Sequence, residues 1–381
     1  MELNELPVLQ SPPGAEVLID GRRYLYFAGT SYLGLAGRPE VIDAACEATR
    51  KYGVHTATSR AGYGNNPATL EVERLAAEFF GREDAFYFAS GYVGNHILIQ
   101  AAAGEFDVVF IDEYSHYSVQ EAAKLCEQPV FLFRHRDTDD LRARLAQNLP
   151  PRTRPLVITD GVFSLTGAVA PMDEYVRALL EHSPAALLVD DAHGLAVLGE
   201  HGRGTLEQSQ LWTTAVNGPE ISSGVALWLC GTTSKAIGGF GGIIPGTHSF
   251  VDRARSSSHY FDGASAPPSA SAGATAKALE IIQREPELRE RLGVNARQMR
   301  AGLRTLGFDV EDWPTPNIAL RIGQAANMRR IHAELKARDI IVPYIAAYAG
   351  SGKEGVLRVA VFATHTGEMI ERFLSELRAV L

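Results

Sequence analysis

Short apolar runs that alternate with stretches of helical periodicity constrain the fold of this chain more than any other feature of its sequence. The apolar runs lie at 85–89, 108–111, 130–133, 156–159, 186–189 and 225–229. The helical stretches between them lie at 92–102, 118–125, 139–147 and 173–181. Strands that are apolar throughout and alternate with helices are typical of a mainly parallel sheet with helices on both faces. We therefore predict an α/β fold, a three-layer αβα sandwich with a mainly parallel sheet.

The length of the chain favours one large and one smaller domain, because 381 residues exceed twice a typical domain of roughly 150 residues. A two-residue turn signal, Asp20-Gly21, predicts a hairpin near the N-terminus. Two long helical stretches meet near Pro286, and the break there marks a domain boundary. The predicted units are an N-terminal hairpin with a linker helix over 1–50, a large domain over 51–285 and a small C-terminal α/β domain over 286–381.

Further elements complete this prediction. Helices are predicted at 39–52, 68–80, 267–282, 285–306, 326–337 and 367–381. Strands of the C-terminal domain are predicted at 317–322, 340–343 and 356–361. The polar segment 200–224 is predicted to be a long surface excursion, and the segment 59–67 a turn-rich loop.

The composition excludes several classes of protein. With 46% hydrophobic and 21% charged residues, the chain is close to the globular average. Its net charge of −9 is spread along the sequence without a basic stripe, so we expect no nucleic-acid partner. No apolar run approaches the roughly 18 residues that span a bilayer, and no secretory signal is expected. The three cysteines are far apart, which fits a reducing, cytoplasmic setting.

A lysine surrounded by small residues follows the last apolar run. Lys235 comes after Thr232, Thr233 and Ser234, and a glycine-rich stretch at 238–242 follows it. Glycine lets a backbone and a ligand approach closely, and a partly buried lysine forms Schiff bases with carbonyl compounds. A surface lysine in a flexible glycine loop is the alternative, so the residues at the other strand ends decide.

Residues suited to ligand binding also follow the other apolar runs, where α/β sheets bind their ligands. Ser90-Gly91-Tyr92 leads into a helix, and small residues at a helix N-terminus suit a phosphate, although an ordinary strand–helix turn looks the same. His116 opens the next helix and either caps it or stacks on an aromatic ligand. Ser164 is the most plausible donor to a ligand from its loop, which otherwise is simply hydrophilic.

The strongest of these signals is Asp190, which ends a buried strand and is followed three residues later by His193. A buried carboxylate is costly unless it is paired, and a protonated ring nitrogen of a ligand would pair it. Asp190 and His193 alone are too few ligands for a metal ion, so we predict no metal site. A structural Asp–His pair is the alternative.

Together these residues match what pyridoxal phosphate requires of a protein. This cofactor acts as an electron sink, and the protein must bind its aldehyde, its ring nitrogen and its phosphate. Lys235 would hold the aldehyde and then move protons at the substrate α-carbon. Asp190 would keep the pyridine nitrogen charged, His193 would contact the ring hydroxyl, and His116 would stack on the ring. The other predicted cofactor-binding residues are Ser90, Gly91, Tyr92, Ser164, Ser234 and Thr232, of which Thr232 would donate to the phosphate.

Several of these motifs resemble the α-oxoamine synthases, a family of fold-type I pyridoxal-phosphate enzymes. The likeness rests on TTSK at 232–235 with the glycines after it, on VDDAHG at 189–194 and on GEHGRG at 199–204. The resemblance implies an acyltransferase that condenses an amino acid with an acyl-CoA thioester, in a homodimer with active sites at the subunit interface. It also implies that Arg358 binds the amino acid carboxylate through a bidentate fork. A surface ion pair on an edge strand is the alternative for Arg358.

The sequence departs from the family pattern on the substrate side. Thr30-Ser31 replaces the usual Asn-Asp before Tyr-Leu-Gly, and we predict that Thr30 contacts the substrate. Pro67 stands where the family has a histidine, and the segment 344–355 replaces a Pro-rich loop. We therefore expect the cofactor chemistry of the family with a different substrate.

Two other functions are compatible with the sequence. An aminotransferase, or a lyase acting on a β-hydroxy amino acid, would use the same cofactor residues, and the missing substrate-side residues favour it. A non-catalytic regulator would have kept only the pocket. Such regulators often carry a DNA-binding module, for which the few residues ahead of the hairpin are not sufficient.

Overall fold

The computed structural model describes residues 6–213, 216–218 and 224–381. The strands, in chain order, are β1 (Glu16–Ile19), β2 (Arg22–Tyr26), β3 (Asp84–Phe88), β4 (Val108–Asp112), β5 (Val130–Phe133), β6 (Pro155–Asp160), β7 (Ala185–Asp190), β8 (Val225–Thr232), β9 (Gly242–Gly246), β10 (Asn317–Leu320), β11 (Ile340–Ile341), β12 (Tyr344–Ile345) and β13 (Val356–Ala360). The helices are α1 (Pro39–Tyr52), α2 (Pro67–Phe80), α3 (Gly94–Ala101), α4 (Tyr117–Lys124), α5 (Thr138–Asn148), α6 (Met172–Leu180), α7 (Thr205–Gln208), α8 (His248–Ser256), α9 (His259–Asp262), α10 (Ser269–Arg284), α11 (Glu287–Thr305), α12 (Ala325–Ala337) and α13 (Gly367–Val380). None of the helices in this part of the chain is both long and apolar enough to cross a membrane.

A seven-stranded sheet forms the centre of the molecule, with the strand order β3-β9-β8-β7-β6-β4-β5. Every pairing among the strands β4, β5, β6, β7 and β8 is parallel, as predicted. Strand β9 is antiparallel to both β3 and β8. This strand was not predicted, because its sequence GIIPG is rich in residues that are disfavoured in strands.

Helices cover both faces of this sheet, because successive residues of one strand pack against different helices. Leu187 packs in an apolar cluster that includes Leu179 of α6. The next residue, Leu188, packs in a second cluster with Ile97 of α3 and Phe250 of α8. Successive residues of a strand point to opposite faces, so both faces are buried under helices. The predicted three-layer αβα fold is confirmed.

Two three-stranded sheets lie outside the central one. In the sheet β10-β13-β12 both pairings are antiparallel, and its apolar side packs with α11, α12 and α13. In the sheet β1-β2-β11, the hairpin pairs in parallel with Ile340–Ile341. The N-terminal hairpin thus shares a sheet with the C-terminal part of the chain, and the division into domains stays a prediction.

The segment 200–224, predicted to be a surface excursion, is buried in part, and its residues 214–215 and 219–223 lie outside the described residues. Leu206 and Asn217 are fully buried. The Asn217 amide donates to the carbonyls of Leu229 at 2.7 Å and Pro245 at 2.6 Å. The surface prediction was wrong here, because this polar side chain satisfies backbone groups of the sheet instead of meeting water.

Candidate functional site

Two adjoining cavities open at the carboxyl ends of β6, β7 and β8. The first has a volume of about 230 Å³, and the predicted residues that line it are Ser90, Gly91, Tyr92, His116, Asp190, His193, Thr232, Ser234 and Lys235. The second has a volume of about 250 Å³, and the predicted residues that line it are Thr30, Ser164, Arg358 and again His116, His193 and Lys235. The structure therefore brings all the predicted site residues together. Ser164, which was predicted to bind the cofactor, lines only the second cavity.

Lys235 lies in the turn after β8 and lines both cavities. Burial lowers the pKa of its amine to about 8, although the carboxylates of Asp190 and Asp160 oppose this shift. Among the residues that the structure describes, the amine has no hydrogen-bond or ion-pair partner. An unpaired amine with a lowered pKa is a nucleophile near neutral pH.

Gly239 and Gly242, two of the glycines after Lys235, serve the packing of the protein, and a close approach of a ligand to this stretch stays a prediction. A Cβ at Gly239 would stand 2.1 Å from Thr275 Oγ1. A Cβ at Gly242 would stand 2.1 Å from Phe88 Cε2. Only glycine therefore lets the turn pack so tightly against α10 and β3.

Asp190 ends β7 with its carboxylate held by three donors. Its Oδ2 accepts from Asn95 Nδ2 at 2.6 Å and from Ser118 Oγ at 3.3 Å, and its Oδ1 accepts from the backbone N–H of Ala192 at 3.1 Å. These neutral donors fix the carboxylate at the wall of the first cavity. A structural pair of Asp190 with His193 was the alternative. The His193 ring instead forms a hydrogen bond with another side chain.

That side chain is Tyr32, whose hydroxyl lies 2.7 Å from His193 Nδ1. Burial lowers the pKa of His193 well below its ordinary value, and the charges of Lys235 and Arg358 lower it further. The ring is therefore neutral near pH 7. Tyr32 was not predicted as a site residue, because this contact joins residues 161 positions apart.

His116 caps helix α4, one of the two roles considered for it. Its Nδ1 accepts from the backbone N–H of Ser118 at 3.1 Å, and its own backbone N–H donates to Asp160 at 3.1 Å. Asp160 is buried, and burial raises its pKa well above the ordinary value, with further increases from Asp190 and Asp112. Asp160 lines the first cavity but was not predicted, although it ends a buried strand as Asp190 does.

The turn between β3 and α3 fits the phosphate of the predicted cofactor. A Cβ at Gly91 would stand 2.6 Å from Thr232 Oγ1, so only glycine brings this turn so close to the end of β8. The Ser90 hydroxyl accepts from the backbone N–H of Tyr92 at 3.3 Å, and its own hydrogen can point into the cavity. Thr232 was predicted to donate to the phosphate. In this structure its Oγ1 donates to the carbonyl of Gly241 at 2.7 Å. A glycine turn with hydroxyl and N–H donors suits an anion.

Arg358 lies on β13, the middle strand of its sheet, and its guanidinium lines the second cavity. It donates to Ser164 O at 2.9 Å, Gly29 O at 3.2 Å and Tyr32 Oη at 3.3 Å. All three acceptors are neutral, and no carboxylate in the described ranges pairs with it. The alternative of an ion pair on an edge strand was wrong, and the positive charge is available to an anionic ligand.

The segment 344–355, which departs from the family pattern, brings Tyr348 into the second cavity. Ser164 Oγ donates to the Tyr348 hydroxyl at 2.9 Å. The Tyr348 ring lies 5.1 Å from the ring of Tyr117 and 6.2 Å from the ring of His116. Tyr348 therefore narrows the side of the site that Arg358 faces. The segment was predicted to differ from the family on the substrate side, but Tyr348 itself was not predicted.

Comparisons with known proteins agree over nearly the whole chain. A family model described as aminotransferase class I and II matches residues 24–377. The 8-amino-7-oxononanoate synthase of Methylococcus capsulatus is 37% identical over 370 residues, which cover 97% of this chain and 92% of that protein. The serine palmitoyltransferase of Sphingobacterium spiritivorum is 32% identical over 369 residues, which cover 97% of this chain and 89% of that protein.

A solved structure supports the same assignment. The serine palmitoyltransferase of Sphingomonas wittichii has a TM-score of 0.89 at 27% identity, covering 98% of this chain and 91% of that one. The resemblance predicted from the motifs is confirmed, because relatives above 30% identity span almost all of the sequence. The chain therefore belongs to the aminotransferase class I and II family and, within it, to the α-oxoamine synthases.

Proposed function

We propose that this chain is a pyridoxal-phosphate-dependent acyltransferase of the 8-amino-7-oxononanoate synthase type, which condenses an amino acid with an acyl-CoA thioester. The observation that carries the proposal is the amine of Lys235, which lines both cavities and has a lowered pKa. The first cavity also presents the Asp190 carboxylate, and the second presents the Arg358 guanidinium. A cofactor aldehyde would lie in the first cavity and the carboxylate of an amino acid in the second, with this amine next to both.

The residues of the first cavity would hold the cofactor. When bound, pyridoxal phosphate supplies an aldehyde that forms Schiff bases and a ring that withdraws electrons from the substrate carbon. Lys235 would lie at the aldehyde, Asp190 at the ring nitrogen, His193 at the ring hydroxyl and His116 over the ring. The phosphate would lie among Ser90, Gly91, Tyr92, Thr232 and Ser234.

Three side chains would then share the chemistry. Asp190, held by Asn95 and Ser118, would keep a proton on the ring nitrogen by its negative charge. The amine of Lys235 would take a proton from the substrate α-carbon and later return one. Arg358 would hold the substrate carboxylate and so fix the orientation of the α-carbon.

The rate at which the cofactor-free chain captures pyridoxal phosphate is expected to rise with pH and to level off above about 8. Only the neutral amine attacks an aldehyde, and burial lowers the pKa of Lys235 to about 8, compared with about 10.4 for an exposed lysine. Stopped-flow absorbance over a series of buffers measures this rate. A rate that keeps rising through about pH 10 would indicate an ordinary, solvated lysine.

Replacing Arg358 by lysine is expected to raise KM for the amino acid roughly tenfold to a hundredfold, the loss expected for a charge-assisted hydrogen bond. Lysine keeps the charge but lacks the planar fork that matches a carboxylate, and KM for acyl-CoA should change little. Steady-state kinetics with each substrate varied in turn measure both constants. The matched control is Arg378→Lys on the exposed side of α13. Equal increases in both KM values would show that Arg358 does not bind the amino acid.

The proposed condensation is tested by the release of thiol. The purified chain with pyridoxal phosphate is expected to release free CoA from an acyl-CoA only when a suitable amino acid is present. A screen of the common amino acids against short and long acyl chains measures this release. No release with any pair would contradict the proposal.

The same screen distinguishes the alternatives. An aminotransferase would form an oxo acid from an amino donor without acyl-CoA, and a lyase would release an aldehyde from a β-hydroxy amino acid. Turnover of any kind would exclude a non-catalytic regulator. Tyr348, which narrows the second cavity where the family has a Pro-rich loop, is the observation that keeps a different substrate in view.

We further propose that the chain forms a homodimer in which the partner covers the rim of the first cavity. Tyr92 and Phe240 line this cavity, yet 45% and 55% of their surfaces are exposed. Tyr117, which contacts Tyr348, is 43% exposed. Grouped exposed aromatic side chains are typical of protein interfaces. Sedimentation at twice the mass of the chain would support a dimer, and a monomer at micromolar concentration would contradict it.

We also propose a cytoplasmic location for this enzyme. Cys46, Cys126 and Cys230 are all free thiols, which is usual in reducing compartments. Cell fractionation tests this location, and recovery of the native protein outside the cytoplasm would contradict it.

A further inference from the structure

A buried tyrosine joins the two sides of the candidate site. Tyr32 is fully buried, and its hydroxyl lies 2.7 Å from His193 Nδ1 and 3.3 Å from Arg358 Nη2. Its carbonyl accepts from the backbone N–H of Ala363 at 2.7 Å, which ties this part of the chain to the segment after β13. One hydroxyl therefore contacts both His193, which lines the two cavities, and Arg358, which lines the second.

The position of the protons follows from these contacts. A guanidinium can only donate, so Arg358 donates to the Tyr32 oxygen. If His193 Nδ1 also donated, the hydroxyl hydrogen of Tyr32 would be buried with no acceptor among the described residues, which is costly. The arrangement that gives every one of these donors an acceptor among the described residues is the one in which the Tyr32 hydroxyl donates to Nδ1. Burial raises the pKa of Tyr32, so the hydroxyl keeps the hydrogen that it donates.

We propose that Tyr32 is a positioning residue that holds His193 as the neutral tautomer protonated on Nε2, with this N–H donor facing the first cavity. A ring with Nδ1 occupied as an acceptor has only Nε2 left to present to a ligand. This inference rests on the proposed function in one respect only. The ligand atom that accepts the hydrogen bond from Nε2 is then the ring hydroxyl of pyridoxal phosphate.

The link to Arg358 gives Tyr32 a second consequence. The hydroxyl that donates to His193 is the one that accepts from Arg358, the residue proposed to bind the substrate carboxylate. The donor to Nδ1 is thus held in place by the substrate side of the site. A side chain of the same shape without the hydroxyl would leave the packing intact and remove this constraint.

The tautomer can be measured directly in the full-length chain by nitrogen NMR with labelled histidine, both with and without pyridoxal phosphate. The His193→Gln variant assigns the His193 signal among those of the 11 histidines. The expected result is a neutral His193 ring with Nε2 protonated and Nδ1 unprotonated, even in the cofactor-free chain. A wild-type ring protonated on Nδ1 would overturn the proposal without the need for any Tyr32 variant.

The Tyr32→Phe variant tests the cause. Its His193 ring is expected to populate both tautomers, and its affinity for pyridoxal phosphate is expected to fall about twofold to tenfold, as for one lost hydrogen bond. The matched control is Tyr175→Phe, because Tyr175 is fully buried in the same core and its hydroxyl has no partner among the described residues. That variant should change neither quantity.

The outcomes separate this inference from the proposed function. An unchanged single tautomer in Tyr32→Phe would overturn the role of Tyr32, even if the enzyme binds its cofactor and turns over. A chain that binds no pyridoxal phosphate would overturn the proposed function, while the tautomer in the cofactor-free chain would still decide the role of Tyr32.

Discussion

Replacing Lys235 by alanine is expected to abolish the condensation and to leave no covalent adduct with pyridoxal phosphate. The amine is the group in both cavities that can bond to the cofactor aldehyde and then move protons at the substrate carbon. Proton transfer by a positioned side chain alone contributes roughly 10²–10⁴-fold to a rate, so kcat/KM should fall at least that far. Thiol release measures the loss of condensation. Mass spectrometry after reduction with borohydride measures the loss of the covalent adduct.

The control for this variant is Lys277→Ala. Lys277 lies on α10 and forms an ion pair with Glu280 at the surface, so its loss should leave both adduct and rate unchanged. An alanine variant at position 235 that keeps more than about a tenth of the wild-type rate would be incompatible with the proposed proton transfer.

Replacing Asp190 by asparagine is expected to lower kcat about 10²–10³-fold, the effect of removing one preorganised electrostatic group from an active site. The amide is nearly the same size as the carboxylate and can stay between Asn95 and Ser118. It has no negative charge, however, and cannot keep a ring nitrogen protonated. Kinetics under saturating substrates and an absorbance titration with pyridoxal phosphate measure the variant.

The neighbouring residue provides the matched control. Asp191 is fully buried and accepts from the backbone N–H of Thr205 at 2.5 Å and from its hydroxyl at 2.6 Å. Asp191→Asn should therefore lower the free energy of unfolding by about 1–3 kcal/mol with little change in kcat of the folded enzyme. If the two variants lost activity equally, the special role of Asp190 would be refuted.

Much of the fold was predictable because its strands are short, continuous and apolar. The parallel core from β4 to β8 follows from these runs, whose burial on both faces needs no alternating pattern. Strand β9 was missed because its pairing with β3 and β8 is set by the sheet and not by its own glycines and proline. The parallel pairing of β2 with β11 joins opposite ends of the chain, and no local pattern reports it.

The site was predictable to the extent that its residues follow strands. Asp190 and Lys235 stand at strand ends, and the rule that ligands bind there located both. Asp160 obeys the same rule and could have been named. Tyr32 and Asn95 could not, because their roles depend on side-chain contacts with residues far along the sequence.

The glycines after Lys235 show a different limit of sequence reasoning. Gly239 and Gly242 stand in a motif that resembles a ligand-binding turn, and they were interpreted as space for a flat ligand. In the structure, Thr275 and Phe88 occupy the space that a Cβ would need at these two positions. A glycine indicates that something approaches closely, but the sequence does not say whether it is a ligand or the protein itself.

Reduction of the enzyme with borohydride in the presence of pyridoxal phosphate, followed by peptide mapping, tests the central claim most directly. We expect one phosphopyridoxyl group, on the peptide that contains Lys235, and none on that peptide without the cofactor. An unmodified Lys235 peptide, or modification that favours another lysine, would contradict the assignment of this site.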